Sequence, residues 1–411
     1  MSDTRKRPAP PAWLLGSVLI SCTAAGILST DLYAPTLPHL PEIFGVTEAE
    51  AQLTMTVNLA AFGLAILFWG PVAERFGRRV TLLVGVSGFL ASTLLCAFAW
   101  SFEALLWGRA LQGITASAQS VVVVLIIRET YDRVTALRLM GVYGFALGLA
   151  PAVGPLIGGH LFVWLGWRAP FVALAIFLAV ALRACWRVAP ETGTPQLDAL
   201  DPVLILDDYM GLLAKRRFLR VAAPLAATSG ALFAYLIEGP FLFIDTFGLP
   251  TESFGVWHAL IVIAYMLGAL TATALARLVG PERLTPAGLT LTTGGAVALT
   301  AMLTLFGATS LETVVFCLSI FAVGLGLAFA AGTPLALEEA GDRPAGVASA
   351  LLGASQLAAA ALGGATVSFL HDGSSWPMAM AMLVWTGLGA WAWIGLGPPR
   401  PRDDEEIERS R

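Results

Sequence analysis

Residues 141–159 read GVYGFALGLAPAVGPLIGG, with six glycines, two prolines and no charge among apolar residues. In a water-exposed helix interior such a composition is poor, since glycine costs ~1 kcal/mol and proline ~3 kcal/mol relative to alanine. In hydrocarbon the balance changes. Small residues let two helix backbones approach closely, and neighbouring helices satisfy the carbonyls that proline leaves free. The stretch therefore predicts a membrane-spanning helix whose small-residue face forms a seam between packed bundles, one that can move.

The rest of the chain agrees. Of its 411 residues 57% are hydrophobic and only 13% charged, and the mean hydropathy is +0.77. Soluble domains carry about 25% charge, so a soluble enzyme or nucleic-acid-binding module is excluded. The short alternating segments of a membrane β-barrel are absent. Cys22, Cys96, Cys185 and Cys317 are scattered, as are His39, His160, His258 and His371, which argues against disulfides, zinc and haem. No Walker loop, metal motif or nucleophile elbow occurs, so neither an enzyme nor a cofactor is expected. The opening MSDTRKRPAPPAW puts basic residues before an apolar run that lacks a small-residue cleavage site. It reads as a retained first helix rather than a removed signal.

Apolar segments of about 20 residues, enough to cross a ~30 Å hydrocarbon core, fall at 13–37, 50–70, 79–100, 102–126, 137–161 and 165–188. After a polar stretch, six more fall at 218–245, 254–278, 284–307, 311–335, 345–370 and 375–397. The expected fold class is an all-α membrane protein of 12 transmembrane helices in two pseudo-symmetric six-helix bundles. The even-numbered loops hold Arg75, Arg78, Arg79, Arg128, Arg133, Arg187, Lys215, Arg216, Arg217, Arg277, Arg283 and Arg343, and the odd-numbered loops only Arg168. Both tails are basic through Arg5, Lys6, Arg7, Arg400 and Arg402. By the positive-inside rule both termini are cytoplasmic. The expected parts are a tail at 1–12, a bundle at 13–190, a central cytoplasmic loop at 191–217, a second bundle at 218–397 and a tail at 398–411. GPVAERFGRRV after the second span and ARLVGPERL after the eighth are weakly alike, as duplicated halves would be.

A few polar residues sit where they are costly. Arg109, in LLWGRALQG of the fourth span, must find an acid, a watery cavity or backbone carbonyls. Asp31, in STDLYAPTLPHLP of the first span, lies at a similar depth and could meet Arg109 and trade a proton; equally it could cap a helix break before Pro35 and Pro38. Glu238 precedes Gly239-Pro240 in the seventh span and lies either at a central cavity or near the outer surface. Tyr33, Asn58, Gln112, Gln119, Tyr143, Tyr235, Tyr265 and Gln356 are further candidates to line a substrate cavity, or else glue between helices. Between spans two and three, Gly70, Glu74, Arg75, Gly77, Arg78 and Arg79 form either a gating latch that pairs with Glu129 or Asp132, or simply a cytoplasmic hairpin.

These residues resemble the Major Facilitator Superfamily, whose loop signature G-x-x-x-D-R-x-G-R-R is matched at Gly70, Arg75, Gly77, Arg78 and Arg79, with Glu74 in place of Asp. The span-four signature R-x-x-Q-G is matched at Arg109, Gln112 and Gly113, and the resemblance links this arginine to proton coupling. Asp31, Tyr33, Pro35 and Pro38 make the D-x-Y-x-P-x-x-P run similar to the Bcr/CflA-type drug-resistance branch, which includes phenicol exporters. Gly166-Trp167-Arg168, Pro190-Glu191-Thr192 and Arg216-Arg217-Phe218 fit the same branch. Some multidrug relatives carry another acid two turns before this Asp, where this chain has Thr23. The antiporter pattern of the fifth span is met at Gly141, Gly154, Pro155, Gly158 and Gly159, with Ala150 replacing one glycine.

The resemblance implies proton-coupled efflux of a small drug-like molecule, such as a phenicol or bicyclomycin, by alternating access across the bacterial inner membrane. Its partners would be that small molecule, protons and the lipid bilayer, with no nucleic acid, and the chain is expected to be monomeric. Export of an endogenous metabolite, amino-acid derivative or siderophore is the alternative, and a non-transporting membrane sensor a third reading.

Overall fold

The computed structural model describes residues 10–193, 202–306, 310–341 and 345–397, and among these every regular element is helical. Among the described residues twelve helices are long and apolar enough to cross a membrane. They are α1 Ala12–Asp31, α2 Glu48–Phe76, α3 Arg78–Ala97, α4 Phe102–Thr130, α5 Arg133–Leu165 and α6 Ala169–Val188, then α7 Arg216–Phe241, α8 Thr251–Val279, α9 Pro281–Phe306, α10 Leu311–Glu339, α11 Ala345–Leu370 and α12 Trp376–Gly395. The expected residues Arg5, Lys6, Arg7, Arg343, Arg400 and Arg402 lie outside the described residues, as does part of the central loop.

Helix ends follow local chemistry rather than the limits of the apolar runs. At the start of α2 the Thr47 side chain accepts from the Glu50 amide while Glu50 reaches back to the Thr47 amide, a capping box. Ser101, Asp132 and Ser310 cap α4, α5 and α10. These caps carry helix beyond the hydrocarbon-sized segments, so the expected span 137–161 is in fact Arg133–Leu165. Gly77 ends α2 at φ 93° and Gly280 ends α8 at φ 83°. A residue with a Cβ is strained there, so glycine recurs at the same place in each half. The central polar stretch is not all loop. It contains a helix, Pro202–Leu213, whose Tyr209 hydroxyl donates to the Leu67 carbonyl of α2 at 3.1 Å while Leu212 is buried against Phe218 and Val221 of α7.

Helices α1–α6 enclose one core, with Leu19, Val86, Phe89, Val122, Ile126 and Leu178 at its centre. Helices α7–α12 enclose another around Tyr235, Phe243, Phe254, Leu318, Phe321 and Met382. A third cluster straddles both, joining Tyr33, Leu37, Met55 and Phe171 to Ile237, Phe241 and Ala361. Large apolar side chains such as Trp100, Leu278, Phe369 and Trp391 are left exposed, as expected where the solvent is lipid.

The halves meet along α2 with α11 and along α5 with α8. The second seam is uneven. A Cβ on Gly159 would lie 2.8 Å from the Thr251 carbonyl, and one on Gly255 would lie 2.5 Å from Leu156 Cα. At the other end of α5, a Cβ on Gly141, Gly144 or Gly148 would meet nothing within 4 Å. The seam is therefore closed at the end carrying the odd-numbered loops and parted at the end carrying the Arg75–Arg79 turn. Gly154 and Gly158 face elsewhere. A Cβ on them would lie 2.5 Å from Asp31 Cβ and 2.1 Å from the Leu32 carbonyl, so they seat α5 on α1 within the first half.

This packing separates glycines that are filled from glycines that are free. Gly158→Val should lower the melting temperature of the purified protein, at a cost of about 1–3 kcal/mol for overpacking, whereas Gly144→Val should leave it unchanged or raise it. Equal losses in the two variants would show that close approach to Leu32 is not what holds α5 in place.

Candidate functional site

Helix α1 stops at Asp31 because the chain is heading into Pro35 and Pro38, and it continues as a tighter turn, Ala34–His39. Proline lacks an amide hydrogen, so a break of this kind strands carbonyls at the end of the preceding helix. In hydrocarbon no water can take them. Arg109 of α4 does. Its side chain is completely buried, with Nη1 donating to the Ser29 carbonyl at 3.0 Å and to Gln112 Oε1 at 2.9 Å, and Nε donating to the Thr54 carbonyl of α2 at 3.3 Å. The guanidinium also lies over the Tyr33 ring, 4.9 Å from its centroid. A cation at the carboxyl end of α1 complements the negative pole of that helix.

The surrounding polar residues hold this arrangement. Gln112, three residues on and thus on the same helix face, passes the chain of hydrogen bonds to Thr93 Oγ1 at 2.8 Å. Asn58 donates to the Arg109 carbonyl at 2.8 Å, and the Tyr33 hydroxyl meets Thr54 Oγ1 at 2.8 Å. Arg109, Gln112, Asn58 and Tyr33 therefore bind α1, α2, α3 and α4 together, and their polar atoms are largely engaged.

Asp31 is buried at the same break, two residues from the carbonyl that Arg109 holds, and packed on Gly154. No ion pair joins it to Arg109 within 4 Å among the described residues. Asp31 Oδ2 and Arg109 Nη2 are each buried without a hydrogen-bond partner. The two residues share one site but are not paired in this conformation, and backbone carbonyls take the place the carboxylate was expected to fill.

The remaining sequence candidates divide. The Tyr235 hydroxyl meets His258 Nδ1 at 2.8 Å inside the second half. Gln119 is buried with both amide atoms unpartnered. Tyr143, Tyr265 and Gln356 are half-buried. None of these residues lines the apolar cleft of about 250 Å³ between α7, α11 and α12, whose walls include Phe218, Ala222, Leu351 and Trp385. Glu238 lies at the closed end of the seam, accepting from Gln52 Nε2 of α2 at 2.7 Å and standing 3.2 Å from His371 Nδ1.

The turn between α2 and α3 is tied within the first half. Arg78 pairs with Glu129 of α4 at 3.1 Å, and Glu191 accepts from the Arg78 and Arg79 amides at 2.7 and 3.2 Å. A carboxylate there caps the amino end of α3, and Gly77 leaves room for it, since a Cβ would sit 2.6 Å from Glu191 Oε2. Arg79 donates to the Trp186 carbonyl at 2.7 Å. Gly70, Glu74 and Arg75 occupy the last turns of α2. Asp132, the other expected partner, caps α5 instead.

The sequence offered no signal for the partners of Glu238. His371 stands 3.2 Å from Glu238 and 2.5 Å from Glu48, residues in different halves. Only folding brings these three positions together.

The Major Facilitator Superfamily model matches residues 19–364. The chain belongs to this superfamily. It is 30% identical over 368 residues to a "Chloramphenicol resistance protein" of Pseudomonas aeruginosa, covering 87% of this chain and 84% of that one. It is also 30% identical over 333 residues to the "Multidrug transporter MdfA" of Edwardsiella ictaluri, covering 80% of each. Among solved structures it is similar to a bacterial homologue of the human lysosomal transporter Spinster, with a TM-score of 0.73 over 93% of this chain and 96% of that one at 16% identity. That last likeness concerns the fold alone. The chain is a multi-pass membrane protein of the transporter type.

If Arg109 acts through the carbonyls it holds, lysine cannot replace it, because an ammonium lacks the planar fork that reaches Ser29, Thr54 and Gln112 together. Arg109→Lys should destabilise the purified protein by about 1–3 kcal/mol, read as a lower melting temperature in detergent. An unchanged melting temperature would show that the carbonyls are served by other donors.

Proposed function

We propose that the chain exports small drug-like molecules, phenicols among them, across the bacterial inner membrane in exchange for protons. The observation that carries this reading is the carboxyl of Asp31, buried in the first half with one oxygen unpartnered, in a chain 30% identical across most of its length to a chloramphenicol resistance protein. An ionised carboxylate without a partner in a dry interior is very costly, so such a group holds a proton or seeks a cation. Arg109, which holds the Ser29 carbonyl two residues before Asp31 and leaves Nη2 without a partner, is the cation proposed to take up the ionised carboxylate.

With the arginine-rich loops in the cytoplasm, the parted end of the α5/α8 seam faces the cytoplasm and the glycine-closed end faces out. The functional parts are the bundles at 13–190 and 218–397, joined by 191–217 and flanked by the tails 1–12 and 398–411, all three on the cytoplasmic side. A substrate enters between the halves from within. Gln119, Tyr143, Tyr265 and Gln356 are the candidates for its polar contacts, being neither fully engaged nor at the gate. Substrate binding and loss of the Asp31 proton favour the outward-open arrangement, in which Gly159 and Gly255 part. A proton arriving from outside neutralises Asp31 and returns the carrier. Each chain is a complete unit in this scheme. No ATP site is involved, so the proton gradient supplies the energy.

Asp31→Asn keeps the size of the side chain and removes the titrating proton. Expressed in a pump-deficient host, it should lose chloramphenicol resistance and drug-driven proton movement in everted vesicles, while its level in the membrane stays at that of the unchanged protein. Full resistance from this variant would remove Asp31 from the coupling. Drug-independent proton flux with no protection against any antibiotic would instead point to an endogenous cargo.

A further inference from the structure

At the closed end of the seam three ionisable side chains from separate elements form a line. Glu48 is the first residue of α2 and is open to solvent, its side chain 43% exposed. His371 follows α11 and is 9% exposed, and Glu238 of α7 is 4% exposed. The imidazole lies between the carboxylates, with Nε2 at 2.5 Å from Glu48 Oε2 and Nδ1 at 3.2 Å from Glu238 Oε1. Each nitrogen faces a different carboxylate, so the three do not converge as metal ligands would. A neutral imidazole has a single N–H. Both contacts become donated hydrogen bonds only when the ring carries a second proton.

We propose that Glu48, His371 and Glu238 form a second proton site, separate from Asp31, which latches the two halves together when it is loaded. The proposal rests on the alternating-access reading given above. The line runs from solvent into the seam, so a proton from outside meets Glu48 first and reaches Glu238 through the ring. Glu48 belongs to the first half, and His371 and Glu238 to the second. Opening this end must therefore pull Glu48 away from His371. Gln52 of α2 also crosses the seam, donating to Glu238 at 2.7 Å.

The charges around the ring favour its cation. Glu48 faces it from α2 and Glu238 from α7; Asp245, on the turn after α7, lies within electrostatic reach of both; Asp372 is its neighbour in the chain. Among the described residues no other cation pairs with these groups. With the hydrogen bond to Glu238 as the largest cause, the His371 pKa rises from its ordinary value of 6.5 to about 9 in the closed state. A raised value favours closure below the ordinary pKa, and that contribution is lost as pH climbs through the raised one. Acid on the outer side should thus close the gate and alkali release it, the sense an exporter needs if an incoming proton is to reset it.

The test is a distance measurement that does not depend on transport. Spin labels on Glu42→Cys and Thr246→Cys, exposed residues of the two halves at this end, would be followed by pulsed electron paramagnetic resonance in lipid nanodiscs from pH 6 to 10. The four native cysteines are buried. The short-distance population should dominate in acid and give way to a longer one as pH climbs from the ordinary value of 6.5 through the raised value of about 9. His371→Gln should abolish that transition. Glu48→Gln, which keeps a hydrogen-bonding side chain but removes a charge, should lower the midpoint by about 1 pH unit. Asp31→Asn should leave it in place. A midpoint unmoved in His371→Gln, no transition in the unchanged gate, or a transition lost only in Asp31→Asn would each overturn the proposal. A normal His371-dependent transition in a protein that moves no drug would leave it standing and count against the exporter reading instead.

Discussion

A guanidinium sealed inside a membrane protein has to be served by the protein itself, and much of the first half is arranged around doing so for Arg109. Its donors go to a carbonyl at the broken end of α1, a carbonyl of α2 and the side chain of its own helix neighbour Gln112. Two costs are thereby set against each other: a buried charge needs partners, and a helix interrupted by proline leaves partners stranded. Neither is easily tolerated alone in hydrocarbon. Together they fix where α1 bends and how it sits against α2 and α4, and they place Asp31 at the bend, where its carboxyl is left out of the exchange.

That exclusion is what gives Asp31 its interest. Had the acid been paired with Arg109, the first half would hold a neutral, satisfied couple with little reason to respond to a proton. Instead the arginine is occupied by carbonyls, and the acid faces Gly154 with an oxygen to spare. Glycine at 154 and 158 lets α5 lie directly on the bend, so the helix that forms the seam with α8 is in contact with the residue proposed to carry the proton. In the proposed cycle the route from protonation to movement is one helix contact long.

The spans, their number and the bundle division were legible in the sequence, because hydrocarbon thickness and the sorting of arginines constrain composition directly. So was the unusual character of Asp31 and Arg109, since charge inside an apolar run stands out by itself. The direction of Arg109 was not legible, because backbone carbonyls have no sequence signature. From sequence the turn at Gly77–Arg79 is either a latch, with Glu129 or Asp132 as partner, or simply a cytoplasmic hairpin. The pair with Glu129 exists, but Glu191 and the Trp186 carbonyl bind the turn into the same half. The Glu48–His371–Glu238 line was invisible for a different reason. Glu238 stands out as an acid within a span, but Glu48 and His371 are ordinary residues at helix ends, and only the closure of one half on the other makes the three neighbours. The helix Pro202–Leu213 was missed because the acids Asp207 and Asp208 sit in its middle and make the stretch read as linker.

The glycines of α5 bear on the proposed motion. In this conformation Gly159 is packed across the seam, and Gly154 and Gly158 are packed on α1, so each is explained by what it touches. Gly141, Gly144 and Gly148 touch nothing. Each costs a helix about 1 kcal/mol relative to alanine, and a static structure would derive nothing from them in return. A carrier that alternates must close the other end of the same seam at another moment. The backbone approach now made through Gly159 and Gly255 then has to be made toward the end where those three glycines stand. Small residues without neighbours along one half of a helix, beside small residues fully packed along the other half, are the pattern that a helix serving two contacts in turn requires.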